Sequence, residues 1–180
     1  TIGSTGTIAH ARFSDIDLWV CYDPADLPPE SVEILQDKLS RIEAWAEQAF
    51  AVEVHFFLMD LQSVRHNEFG FTDKESAGSS QAQLLKEEFY RTGVYLAGKK
   101  PFWWYLPVGV DEAGYRRHLQ RFRSAVGPLD RSVLDLGHLD AIPRGEFFGA
   151  SLWQIVKAIK SPFKSAMKLA LLDKYTQGQG

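Results

Sequence analysis

Residues 16–22, IDLWVCY, alternate in polarity and are rich in β-branched and aromatic side chains, so they predict a strand. The proline-rich DPADLPPE that follows predicts a loop. From Glu30 to about Gln48, Leu35, Leu39, Ile42 and Ala46 recur at helical spacing. AVEVHFFLMD (51–60) predicts a second strand, with Val52, Val54, Phe56 and Leu58 on one face. Residues 61–79 are polar and glycine-containing and predict a long loop, a length often associated with function. Gln81 to Ala97 predicts a helix stopped by Gly98, and KKPFWWYLPV an extended run bounded by prolines.

The pattern changes in the second half. Tyr115, Leu119, Phe122 and Val126 form one helical face, ended by Gly127-Pro128. Residues 145–160 predict a helix whose Phe148, Leu152 and Ile155 suit packing between the two halves. SPFKSAMKLALLDKY predicts another, with Ser161 as N-cap and Pro162 at the first position. An α/β unit over 1–108 and a helical subdomain over 109–180 are therefore expected, an α+β fold class.

Composition narrows the function. A hydrophobic content of 45% supplies a sizeable core. The net charge of −3 offers no broad basic surface, so no nucleic-acid partner is expected. Cys21 is the single cysteine, which excludes an internal disulfide and fits a reducing, cytoplasmic setting. No apolar run predicts a membrane span and no signal peptide is evident. The start at Thr1 and the polar tail from Thr176 to Gly180 read as a piece excised from something longer.

Candidate chemistry concentrates near the first strand. Asp15 and Asp17 stand at i and i+2, on one face and ~7 Å apart along the backbone. Two carboxylates that close repel, and burying them unpaired is costly. Mg²⁺ removes that cost, and it leaves positions for water and substrate phosphates. Glu53, between Val52 and Val54, falls on the face opposite the apolar residues of the next strand; if the two strands are neighbours it joins Asp15 and Asp17, and three carboxylates can hold two metals for in-line attack at phosphorus. Upstream, the Gly3-Ser4-Thr5-Gly6 turn can hold phosphate oxygens through backbone N–H groups and the Ser4 hydroxyl. A solvated strand edge or turn cap is the alternative reading of Asp15-Ile16-Asp17. His55 shares the Glu53 face, either as a partner to it or as a structural histidine. Cys21, among aromatics, reads as an inert core thiol. No Cys/His cluster suggests zinc. Trp103, Trp104 and Tyr105 offer rings for core packing or for stacking on adenine.

The order Gly3-Ser4, then Asp15-Ile16-Asp17, then Glu53 resembles the nucleotidyltransferase superfamily typified by DNA polymerase β. A narrower resemblance runs along nearly the whole chain. EFFGASLWQIVK (146–157) is similar to the signature of bacterial class I adenylate cyclases, with Phe147 and Val156 where that family usually has tyrosine. SDIDLWVC (14–21), VEVHFFLMD (52–60), RHNEFG (65–70), GSSQ (78–81) and EEFYRTGVYLAGK (87–99) resemble the same family.

The resemblance implies a nucleotidyltransferase-like mixed sheet flanked by helices, followed by a helical extension. It implies conversion of ATP to 3′,5′-cyclic AMP and pyrophosphate with Mg²⁺, or Mn²⁺, held by Asp15, Asp17 and Glu53. Glu53 would also receive the 3′-hydroxyl proton. Gly3, Ser4 and Thr5 would cradle the β- and γ-phosphates. Arg65, His66, Arg91, Lys99 and Lys100 are the candidate cations for departing pyrophosphate. Ser79 and Ser80 would cap the next helix, with phosphate contact as a second use. A regulatory phosphotransferase-system protein, acting through regions outside this chain, is the implied partner. Transfer of a nucleotide to another acceptor, or an inactive nucleotide-binding fragment, are the alternatives.

Overall fold

The structure is a computed structural model that describes residues 1–8, 10–12, 14–68, 79–127, 133–139, 142 and 144–177, with side chains except at 79–83 and 144. Strand β1 (Ile16–Tyr22) leads through helix α1 (Pro29–Phe50) to strand β2 (Val54–Asp60). Parallel strands need a crossover of a dozen residues or more, and α1 is that crossover. Its first turn opens on Pro29, whose fixed φ suits the position. Its end is set by Ala51, left-handed at φ 53°, whose N–H returns to the Ala46 and Glu47 carbonyls.

β1 and β2 pair in parallel from Ile16↔Val54 to Tyr22↔Asp60. β2 starts later than its apolar pattern suggested, but the ladder gains one rung where the Ile16 N–H donates to the Glu53 carbonyl at 2.9 Å. Trp19 of β1 stacks on Phe89 of α3 (Ser79–Thr92), with ring centroids 4.6 Å apart. Cys21 and Met59, paired in register, pack against the main core.

Several sequence expectations change. The long polar stretch after β2 contains a short helix, α2 (Leu61–Arg65), because the Asp60 carboxylate accepts from the Gln62 and Ser63 N–H groups and caps it. The rest of that stretch, 69–78, lies outside the described residues. Helix α3 stops at Thr92 rather than Ala97. A Cβ at Gly93 would lie 2.4 Å from the Phe89 carbonyl oxygen, and Val94 is drawn into a pair of hydrogen bonds with Thr1. The run after Lys99 is not extended throughout: β3 (Lys100–Pro101) passes directly into a 3₁₀ turn, Phe102–Tyr105. The second half is not all helix. Between α4 (Glu112–Val126) and α5 (Arg144–Lys157) lies β4 (Val133–Leu134), which pairs in parallel with β3.

The core therefore does not divide at residue 108. Leu61, Val64, Phe102 and Trp103 pack with Tyr115, Leu119, Val133 and Leu136 in one cluster. Asp135 fastens it on the polar side. Its carboxylate accepts from the Tyr115 hydroxyl at 2.5 Å and the Gly137 N–H at 3.1 Å, and pairs with Arg123 at 3.3 Å. Gly137, at φ +80°, is needed because a Cβ there would meet the Arg65 backbone at 3.1 Å.

Helix α6 (Pro162–Gln177) starts at the expected proline and packs on α5. The side chain of α5 that is buried is Phe147, against Ile142 and Tyr175. Phe148, Leu152 and Ile155, expected at the join between the halves, are exposed. Among the described residues no helix is long and apolar enough to cross a membrane.

Leu136 has no solvent exposure, so Leu136→Ala is expected to lower stability by about 3 kcal/mol through lost burial and the cavity left behind. Because its cluster joins both halves, denaturant melts should show one transition, shifted as a whole. A separate transition that the substitution leaves in place would contradict the shared core.

Candidate active site

The register of β1 and β2 decides which side chains meet. Asp17 pairs with His55, so Asp17 and His55 share a face, and the residues two before them, Asp15 and Glu53, fall on the same side by strand alternation. The N-terminal segment folds back over this point. The Ile2 N–H donates to the Asp17 carbonyl at 3.0 Å, and Ile2 itself is buried. Gly3, at φ +87°, brings the turn close to the acid: a Cβ there would sit 3.7 Å from Asp17 Oδ2. The other end is pinned where Gly6 meets Val94, and the Thr7 N–H and hydroxyl both donate to the Ser4 carbonyl.

This turn leaves polar atoms unsatisfied. The hydroxyls of Thr1, Ser4 and Thr5 are buried with no hydrogen-bond partner. Such groups carry a desolvation cost of roughly 1–3 kcal/mol each. Gly3 sets this turn against Asp17, so the uncommitted hydroxyl donors lie in the segment that covers the acid.

The acids are held uneasily. The Asp17 carboxyl is pushed above its usual range, first by burial and then by the charge of Asp15; His55, Lys168 and Lys164 pull the other way. Both lysines come from α6. Lys164 Nζ stands 3.6 Å from Asp15 Oδ1, and Lys168 Nζ 3.3 Å from Glu88 Oε1 on α3. Glu53 turns to His55, with Oε1 3.1 Å from Nε2.

Among the described residues, no group of three or more His, Cys, Asp or Glu side chains is gathered to hold a metal ion. The donor chemistry at Asp15 and Asp17 nevertheless suits Mg²⁺, which binds through one or two carboxylates and takes its other oxygens from water and phosphate. The two fit a cation shared with a substrate. A closed cage with Glu53 is not assembled.

The other candidates are dispersed. Arg65 and His66 follow the C-terminal end of β2, whereas Glu53 precedes its start, seven residues and roughly 23 Å of strand away. Arg65 donates from Nε to the Asp135 carbonyl at 2.9 Å and so serves the core. His66 ends α2, with Nδ1 2.8 Å from the Gln62 carbonyl. Arg91 pairs with Glu87 at 2.6 Å and lies over the Tyr175 ring. Lys99 and Lys100 are exposed beside β3. Ser79 and Ser80 open α3, and their side chains lie outside the described residues.

The aromatic run divides. Trp103 is buried, donating from Nε1 to the Gly137 carbonyl, while Trp104 and Tyr105 reach the surface. Trp103 and Trp104 border an open cleft of about 540 Å³ with Arg91, Lys174 and Tyr175, toward the C-terminal end of α6. Cys21 is the inert thiol expected, since burial pushes it up to about 11. The residues that sequence reasoning missed are Lys164 and Lys168. Their signal was present: two lysines four apart share one helical face. Nothing in the pattern said which element that face would meet.

Comparisons with known proteins cover both halves. The family model described as the adenylate cyclase NT domain matches residues 1–104. The model described as the second domain of class-I adenylate cyclase matches residues 142–179. Adenylate cyclases of Salmonella typhimurium, Escherichia coli K12 and Yersinia pestis are each 42% identical over 176 residues, 98% of this chain and 20% of theirs. The chain thus spans about a fifth of the length of the curated relatives it matches. No solved structure matches it.

The strain at Asp17 gives a stability test. The fold holds the Asp17 proton more tightly than the unfolded chain does, so ionising this group costs stability as pH rises through and above the carboxylate range. Asp17→Asn should therefore melt a few degrees higher than the native chain at neutral pH. The gain should shrink as pH falls through the raised titration range of the native carboxyl and be gone below about 4, where the group is protonated in the folded and unfolded chain alike. Thermal melts across pH test this, and an unchanged or lower melting temperature at neutral pH contradicts it.

Proposed function

This chain belongs to the class I adenylate cyclase family, and on that premise we propose that it carries the nucleotide-binding centre of an adenylate cyclase, converting ATP to 3′,5′-cyclic AMP and pyrophosphate. On this reading β1, β2, the α1 crossover and the turn over them form the core of a nucleotidyltransferase-like fold. One observation carries the proposal: a glycine-flanked turn with unpartnered Ser4 and Thr5 hydroxyls lies over a carboxylate pair. Hydroxyl donors suit phosphate oxygens, and adjacent carboxylates suit the cation that accompanies them.

The residues divide the work. Ser4 and Thr5 donate to oxygens of the β- and γ-phosphates, with the backbone at Gly3 able to approach closely for want of a side chain. Asp15 and Asp17 hold the divalent cation, Mg²⁺ or Mn²⁺; when bound it neutralises triphosphate charge and polarises the α-phosphate. Glu53, steadied by His55, accepts the proton of the ribose 3′-hydroxyl. The 3′ oxygen then bonds to the α-phosphorus. The bond from that phosphorus to the bridging oxygen breaks, and pyrophosphate leaves with the electron pair.

Calorimetry of ATP binding with and without Mg²⁺ tests the reading. Binding should require the cation and be lost in Asp17→Asn. Ser4→Ala should weaken it about tenfold, the worth of one hydrogen bond to a charged oxygen. Binding indifferent to both the cation and Asp17→Asn would put the nucleotide elsewhere.

A further inference from the structure

We propose that Lys164 and Lys168, one turn apart on α6, form the cation pair that receives the polyphosphate of the nucleotide. The inference rests on the nucleotide reading above and names residues that reading did not use. Four features support it.

First, the two lysines reach the acids from a separate element. Residues four apart on a helix lie on one face. Here that face meets Asp15 before β1 and Glu88 on α3. Second, neither lysine is consumed by its contact. Distances of 3.6 and 3.3 Å exceed the 2.7–2.9 Å typical of a close charge-assisted hydrogen bond. An ammonium carries three donors, and both side chains remain more than a third exposed. Third, the cations that the sequence first offered for this task are engaged elsewhere or set apart. Arg65 is bound to Asp135, and Arg91 to Glu87 and Tyr175. Fourth, donors for the same ligand are already in place, in the buried unpartnered hydroxyls of Ser4 and Thr5 in the turn against Asp17.

The lysines act on the leaving group. As the 3′ oxygen bonds to the α-phosphorus, negative charge grows on the bridging oxygen and on the departing pyrophosphate. Lys164 and Lys168, turned from carboxylate to phosphate oxygens when the polyphosphate binds, stabilise that charge. Loss of the Lys164 contact on binding would leave Asp15 free to hold the cation with Asp17. No proton leaves the lysines: the 3′-hydroxyl proton goes to Glu53, and the electron pair goes to pyrophosphate.

Inorganic tripolyphosphate, titrated into this chain without divalent cation, isolates the anion contact. The native chain should bind it. Lys164→Gln and Lys168→Gln should each weaken binding about tenfold or more, and Lys168→Arg should retain it. Asp17→Asn should leave tripolyphosphate binding intact or tighter while abolishing Mg²⁺-dependent ATP binding. Melting curves for each variant separate loss of contact from loss of fold. Equal tripolyphosphate affinity in the native chain and in the doubly substituted glutamine variant overturns the lysine assignment, as does no binding by a folded native chain. Mg²⁺-dependent ATP binding that survives Asp17→Asn instead overturns the nucleotide reading, and the two failures appear in different titrations.

Discussion

The parallel pairing of β1 with β2 is the constraint from which the candidate site follows. With Ile16 opposite Val54, Asp17 falls opposite His55, and the acids of both strands emerge on one side. A slip of one residue would turn every side chain to the opposite face. The match of Asp17 with His55, and with it the gathering of the acids, would be lost. Two features hold the register. At one end Ala51 takes a left-handed conformation that ends α1 and releases the chain into β2. At the other, Asp60 closes the strand by capping α2. Neither feature carries catalytic chemistry, yet both decide where the catalytic candidates point.

The second half completes the site as well as the core. Asp135, beside β4, gathers Tyr115 and Arg123 from α4 and meets Arg65 from α2, so the return strand is tied to the element following β2. From there the chain passes into α5 and then α6, which lays Lys164 and Lys168 against the first strand and α3. The two segments that match separate adenylate cyclase models therefore touch at the acids.

Period and punctuation made much of this legible. The two strands, the long crossover helix and the proline-started last helix follow from alternation, helical spacing and caps. The turn and the acid pair were legible because their residue types are costly in a strand without a ligand. What stayed hidden was set by partners distant in sequence. Val94 leaves a helical pattern because Thr1 pairs with it, and β4 is too short to announce itself without β3. Arg65 follows a catalytic-looking strand in sequence but leaves it at the opposite end, a consequence of strand length rather than residue type. Phe147 and Phe148 are indistinguishable in composition, and only the docking of α5 on α6 decides that the first is buried.

The charge at the acids has a shape that bears on its ligand. Asp15, Asp17 and Glu88 outnumber the two lysines facing them, and burial adds to the discomfort of Asp17. A free cation would relieve the carboxylates but leave the lysines repelled. A free anion would bind to the lysines, but less tightly than the same anion with its cation, because it faces Asp15 and Asp17 unneutralised. A cation bound to a polyphosphate supplies both signs in the order in which the site presents their opposites: positive at the strand, negative at α6 and the glycine-flanked turn. Such a ligand also releases Lys164 from Asp15, so part of the attraction between lysine and carboxylate must be given up on binding. At 3.6 Å and half exposed, that contact is worth little in water and is readily exchanged. A tight pair at that position would oppose the nucleotide. A loose one keeps both partners near the place where the proposed nucleotide would need them.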